Sequence, residues 1–199
     1  MTIRSKILAL LGVIFVLFGA ALIWAIFSSV RTTEQFEVFV DKDQVALRNY
    51  TEMYVQGFQM AAALRAIQLD PDSQQGFENL SKAAANFDKA LGLALEDSGG
   101  YAERKESLER IRLLRQKQQK LQEEISASAA SRYMDKAKKL TVTEETPVWR
   151  EIEALIVENI EKSDSHATET KKNVMEASLF ASRVSMFLGL FAIAAGLLL

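Results

Sequence analysis

The sequence predicts an all-α fold, an antiparallel up-down four-helix bundle whose first and fourth helices continue into two transmembrane helices. Three observations carry that expectation. Two apolar runs without a charge, residues 7–30 and 184–199, bracket the chain. Between them the strong helix breakers fall at three places only: the 2 prolines, Pro71 and Pro147, and the Gly99-Gly100 pair. No useful length of sequence alternates apolar and polar residues with a period of two, so no strands are expected.

Residues 1–6 form a short N-terminus in which Arg4 and Lys6 stand without an acid nearby, placing it in the cytoplasm by the positive-inside preference. A hydrocarbon core of roughly 30 Å needs about 20 helical residues. The run 7–30 meets that length, exceeds a secretory h-region and lacks a small-x-small cleavage site, so it reads as an uncleaved signal anchor. The run 184–199 is shorter and ends without a polar flank. It is expected to be a second transmembrane helix, truncated where this sequence stops, with the rest of the protein beyond it.

Residues 31–183 form one domain outside the membrane, with helices expected at about 31–69, 73–96, 101–140 and 147–183. The first stops at Asp70-Pro71, because the residue before proline disfavours helix and proline cannot donate. Asp72 or Ser73 caps the second, which turns Phe77, Leu80, Ala84, Phe87, Leu91 and Leu95 to one face. Asp97-Ser98-Gly99-Gly100 ends it. The third carries Leu108, Ile111, Gln118, Leu121 and Ile125 on its core side, with Arg104, Arg110, Arg112 and Lys120 among acids on a solvated face. Thr146 as N-cap and Pro147 in the first turn open the fourth.

Two seams stand out. Along helix one, Phe36, Val40, Asp43, Leu47, Tyr50, Tyr54, Gly57, Ala61 and Leu64 alternate steps of four and three, the spacing of a coiled-coil seam. Along helix four the register is Ile152, Ile156, Asn159, Ser163, His166, Thr170, Asn173, Ala177, Phe180 and Val184. Its middle, Asn159, Ser163, His166, Thr170 and Asn173, is polar or small. Such positions suit either a wet stretch or a helix that shifts against its neighbours to carry a signal.

Composition excludes several chemistries. The chain has 24 Lys and Arg against 26 Asp and Glu, a net charge of -2, and no basic surface for nucleic acid. With 0 cysteines and a single histidine, His166, no disulfide, Cys-ligated zinc, iron–sulfur cluster or imidazole cluster is available. No metal site and no cofactor are expected. No nucleophile elbow or phosphate loop occurs. The adjacent carboxylates Glu123-Glu124 and Glu144-Glu145 face apart on a helix and are read as solvating groups, so the domain is not expected to be an enzyme.

The whole layout resembles the sensory half of bacterial methyl-accepting chemotaxis proteins. Tyr54-Val55-Gln56-Gly57-Phe58-Gln59-Met60-Ala61-Ala62-Ala63-Leu64-Arg65-Ala66-Ile67-Gln68-Leu69-Asp70-Pro71, followed by Phe77-Glu78-Asn79-Leu80, is similar to the first hairpin of their four-helix-bundle modules. The resemblance implies an inner-membrane homodimer with its sensor domain in the periplasm. It also implies a small ligand or a periplasmic binding protein engaged at the membrane-distal end, and a signalling domain after Leu199. In that family, arginines late in helix one clamp a ligand carboxylate. Arg65 alone matches that placement, since Arg48 lies several turns closer to the membrane. Tyr54, Gln68, Trp149 and Arg150 are the other candidate ligand residues. Related bundles also precede histidine kinases and cyclic-dinucleotide enzymes, and a membrane-anchored bundle that binds a periplasmic protein is the further alternative.

Overall fold

The computed structural model describes residues 3–38, 44–98 and 102–197, and every regular element among them is helical. In chain order these are α1 (Ile3–Val38), α2 (Gln44–Leu69), α3 (Gln74–Asp97), α4 (Ala102–Ala130), α5 (Met134–Leu140), a π-helical turn (Thr141–Glu145) and α6 (Thr146–Leu197). Val40 and Asp43 of the first seam, the Gly99-Gly100 pair, and Leu198 and Leu199 lie outside the described residues. The chain divides into two compact units, Lys42–His166 and Met1–Asp41 with Ala167–Leu199.

The unit Lys42–His166 holds the core. α2 buries Ala46, Tyr50, Met53, Gly57, Met60, Leu64 and Ile67, an unbroken alternation of four and three. The expected seam is therefore rotated: Tyr50, Gly57 and Leu64 are on it, while Leu47, Tyr54 and Ala61 are only half-buried beside it. Phe87 and Leu91 from α3, Leu108, Ile111 and Leu121 from α4, and Val148, Trp149, Ile152 and Ile156 from α6 complete the main cluster. A smaller cluster joins Leu64, Ile67, Ile125, Ala129 and Ala137. Each fully buried large apolar side chain, such as Phe87, Met53 or Ile111, contributes about 1.5–3 kcal/mol by leaving water.

Local chemistry sets the helix ends. Between α2 and α3, the Ser73 amide donates to Asp70 O at 3.0 Å and the Ser73 hydroxyl accepts from the Gly76 amide at 3.3 Å, so of the two expected caps, Asp72 and Ser73, it is Ser73 that caps α3. The third expected helix ends earlier than its pattern suggests, at Ala130 instead of residue 140. Arg132 takes a left-handed conformation, φ 64. Its amide donates to Ala129 O and that of Tyr133 to Ser128 O, the paired bonds of a Schellman end with arginine in the place glycine usually holds.

The fourth helix differs in the opposite sense. Thr146 is not its cap but a helical residue, with φ -58 and ψ -42, and helix runs unbroken from Met134 through the π turn into α6. Proline at 147 has no N–H for the preceding turn, and its ring would crowd the carbonyl of Thr143 in a regular α-helix. The π turn answers that crowding: the Thr146 amide reaches back five residues to Thr141 O.

In the other unit, α1 exposes Phe15, Val16, Phe18, Phe27 and further large apolar side chains, and α6 exposes Met186, Phe187, Leu190 and Phe191. Among the described residues, the helical stretch Met134–Phe191 is long and apolar enough to cross a membrane by length and composition.

Candidate functional site

The core stripe of α4 is not apolar throughout. Leu108, Ile111, Arg115, Gln118, Gln122 and Ile125 follow one another at steps of three and four, and all are buried. A guanidinium at that depth requires partners on every side. Arg115 Nε meets Asp88 Oδ1 of α3 at 3.0 Å, and its Cζ lies 5.6 Å from the centre of the Phe87 ring. Its Nη1 donates to Gln122 Oε1 at 3.1 Å and to Gln118 Oε1 at 3.4 Å.

With their oxygens facing Arg115, the two glutamines turn their amides the other way. Gln118 Nε2 donates to Glu145 Oε1 at 2.9 Å and Gln122 Nε2 to the same oxygen at 3.5 Å, while Gln122 Nε2 also lies 3.8 Å from Met60 Sδ. A polar chain thus runs from Asp88 through Arg115 and two amides to Glu145, crossing from α3 to the π turn. Glu145 is 3 % exposed, not a solvating group as its sequence context suggests. Burial pushes its carboxyl above the usual carboxylate range, against the opposing pull of the Gln118 and Gln122 hydrogen bonds and the charges of Arg115 and Arg65.

Glu145 also lines a cavity of about 80 Å³, together with Phe58, Leu64, Arg65, Thr141, Thr146 and Trp149. Trp149 meets Phe58 edge to face at 5.8 Å between ring centres. Its indole fits because residue 57 has no side chain: a Cβ built there would fall inside the six-membered ring. Of the candidate ligand residues, Arg65 and Trp149 therefore come together at one cavity. Gln68 stands next to it, donating to Thr141 Oγ1 at 2.6 Å. Tyr54 does not line the cavity; it packs edge to face on Phe58 at 4.9 Å. Arg150, exposed one residue beyond Trp149, points to a different face of α6 and does not line it either.

The polar seam of α6 divides. Asn159 and Ser163 are buried, and Asn159 is tied down, its Nδ2 donating to Ser107 Oγ of α4 and to Leu155 O, both at 2.6 Å. His166 is exposed at a separate groove of about 310 Å³ with Arg104 and Lys162. Thr170 is half-buried and Asn173 exposed, both in the other unit. That unit also contains a cavity of about 890 Å³, walled by Ile23, Trp24, Phe27 and Phe180 together with Ser28, Arg31, Thr32 and Asn173.

Comparison with known protein families, curated proteins and solved structures finds no match to this chain. The site must be read from its own chemistry. Arg115, Gln122 and Glu145 are the residues that sequence reading passes over, yet their spacing marks them. Arg115 and Gln122 occupy seam positions between Ile111 and Ile125, and the α6 seam extended back from Ile152 by three and four residues reaches Trp149 and then Glu145.

Proposed function

We propose that this chain is the sensory part of a transmembrane receptor of the chemotaxis-receptor type, and not an enzyme. α2, α3, α4 and the α5–α6 helix form an antiparallel up-down bundle outside the bacterial inner membrane, as a homodimer, and α1 and α6 cross the bilayer. One observation carries the reading. The continuous helix that presents Glu145 and Trp149 to the buried cavity is the same helix that supplies the membrane-length apolar stretch. A ligand whose contacts differ between two positions of that helix would shift their populations, and the helix would report the difference across the membrane.

The chain has no cysteine, so introduced thiols are unique labelling sites. Spin labels at Arg48 and Lys171, in the full chain in lipid nanodiscs, test the reading. Compounds from a small-molecule library that raise the melting temperature are expected to alter the distance distribution between the labels. Stabilising compounds that leave it unchanged would remove the receptor reading.

A second reading, a membrane-anchored bundle that docks a protein partner, draws on three exposed apolar side chains. Leu69, Tyr133 and Val142 are 87 %, 67 % and 69 % exposed, and the Gln68–Thr141 hydrogen bond places two of them close to the cavity. Replacing all three with serine leaves small-molecule responses intact under the first reading and abolishes cross-linking to the protein partner under the second.

A further inference from the structure

We propose that the cavity beside the π turn binds a small protonated amine, its ammonium group donating to Glu145 Oε2 while the methylene groups pack on Trp149 and Phe58. The inference rests on the receptor reading and names the ligand class for that site.

Three features argue for a cation. Among the described residues, both hydrogen bonds that Glu145 accepts fall on Oε1, from Gln118 and Gln122. Oε2 has neither, although the side chain lines the cavity and is almost wholly buried. A carboxylate in that position gains most from an ion that brings its own donors. The walls are of the right kind as well: the aromatic side chains of Trp149 and Phe58 attract a cation through their ring quadrupoles, and Leu64 and Ala61 suit a short alkyl stem.

Volume and charge narrow the class. At about 80 Å³ the cavity has room for several water-sized groups, hence for a ligand of a few heavy atoms. An anion docked there opposes the ionised form of Glu145, whereas an ammonium ion favours it. Arg65 does not reverse that sign, because it is an exposed side chain at the rim and the weakest of the influences on Glu145. Arg115, the cation nearest in effect, is already engaged by Asp88 and the two glutamines.

Binding also has a proton signature. Arg115, Gln118 and Gln122 of α4 and Arg65 of α2 are the charged and polar groups that act on Glu145 from the elements packed against it. Burial raises the pKa of the Glu145 carboxyl and a docked ammonium ion lowers it again, so binding draws off a proton over the pH range in which Glu145 titrates. The heat of binding should then vary with the ionisation enthalpy of the buffer.

The full chain in nanodiscs is titrated calorimetrically with methylammonium, ethylammonium, acetate and propionate. Both amines are expected to bind saturably, with proton release confined to the pH range in which Glu145 titrates. Glu145→Gln, which keeps an oxygen for Gln118 and Gln122, should weaken them at least about tenfold at unchanged helicity. Arg65→Ala should leave them within about threefold or tighten them. Binding of acetate or propionate that depends on Arg65 and is indifferent to Glu145→Gln overturns the amine proposal and leaves the receptor reading standing. Absence of saturable amine binding overturns it too, and the spin-label distances then judge the receptor reading on their own.

Discussion

At the scale of single residues, the site depends on one missing side chain and one buried charge. Glycine inside a helix is ordinarily about 0.5–1 kcal/mol worse than alanine. At position 57 that order reverses, because the added methyl would occupy the Trp149 ring. Gly57→Ala is expected to lose about 1–3 kcal/mol, the range for overpacking a filled core, measured as a lower urea midpoint. A midpoint equal to or above the parent's would mean that the indole moves aside freely. For Glu145 the prediction concerns pH. The folded chain holds its proton to higher pH than the unfolded chain, whose carboxyl has the ordinary value of 4.5. Between that value and the raised one the folded state binds more protons, so stability falls as pH rises through the window. Glu145→Gln keeps the acceptor oxygen and removes the titration. Melting curves from pH 4 to 8 should show the parent losing stability relative to the variant above about pH 4.5; parallel curves would contradict a buried titrating carboxylate.

At the scale of elements, breaks made by proline and glycine were legible and breaks made by ordinary residues were not. The α2–α3 turn follows from Asp70-Pro71 and the Ser73 cap, and the α6 register Ile152, Ile156, Asn159 and Ser163 is buried, although its last two positions were expected to be wet or loosely held. The end of α4 escaped notice because an arginine occupies the left-handed position where sequence logic looks for glycine. Arg132→Gly is therefore expected to raise stability by about 0.5–1 kcal/mol. The loss of its 2.5 Å pair with Asp72 offsets little, since both side chains are exposed. A calorimetric melting temperature below the parent's would show the pair to matter more than the backbone. Pro147 misled in the other direction. It marks a start when the preceding residues are coil, but here the π turn absorbs it and the helix continues.

At the scale of the whole molecule, the all-helical class was visible from periodicity and the scarcity of breakers, as were the bracketing apolar runs. The chemistry of the site was only half visible. Arg65 and Trp149, both expected as ligand residues, line the same cavity, while Glu145 was hidden by an acidic neighbour, and local charge does not reveal which of two adjacent carboxylates turns inward. The unit Lys42–His166 contains both core clusters and the complete polar chain from Asp88 to Glu145. A fragment of residues 42–166 is therefore expected to be soluble without detergent, strongly helical by circular dichroism and cooperative in thermal unfolding. Aggregation, or a broad non-cooperative melt, would show that this unit depends on the rest of the chain.

The π turn gives the long helix a phase as well as a length. One turn between Thr141 and Glu145 holds a residue more than an α-helix would, a single tooth of slack in a continuous helix. Were that turn to tighten while α5 kept its seat, each side chain beyond Glu145 would swing by about 100° and slide by about 1.5 Å. Trp149 would leave the face of Gly57, and Ile152 and Ile156 would turn away from the main core cluster with it.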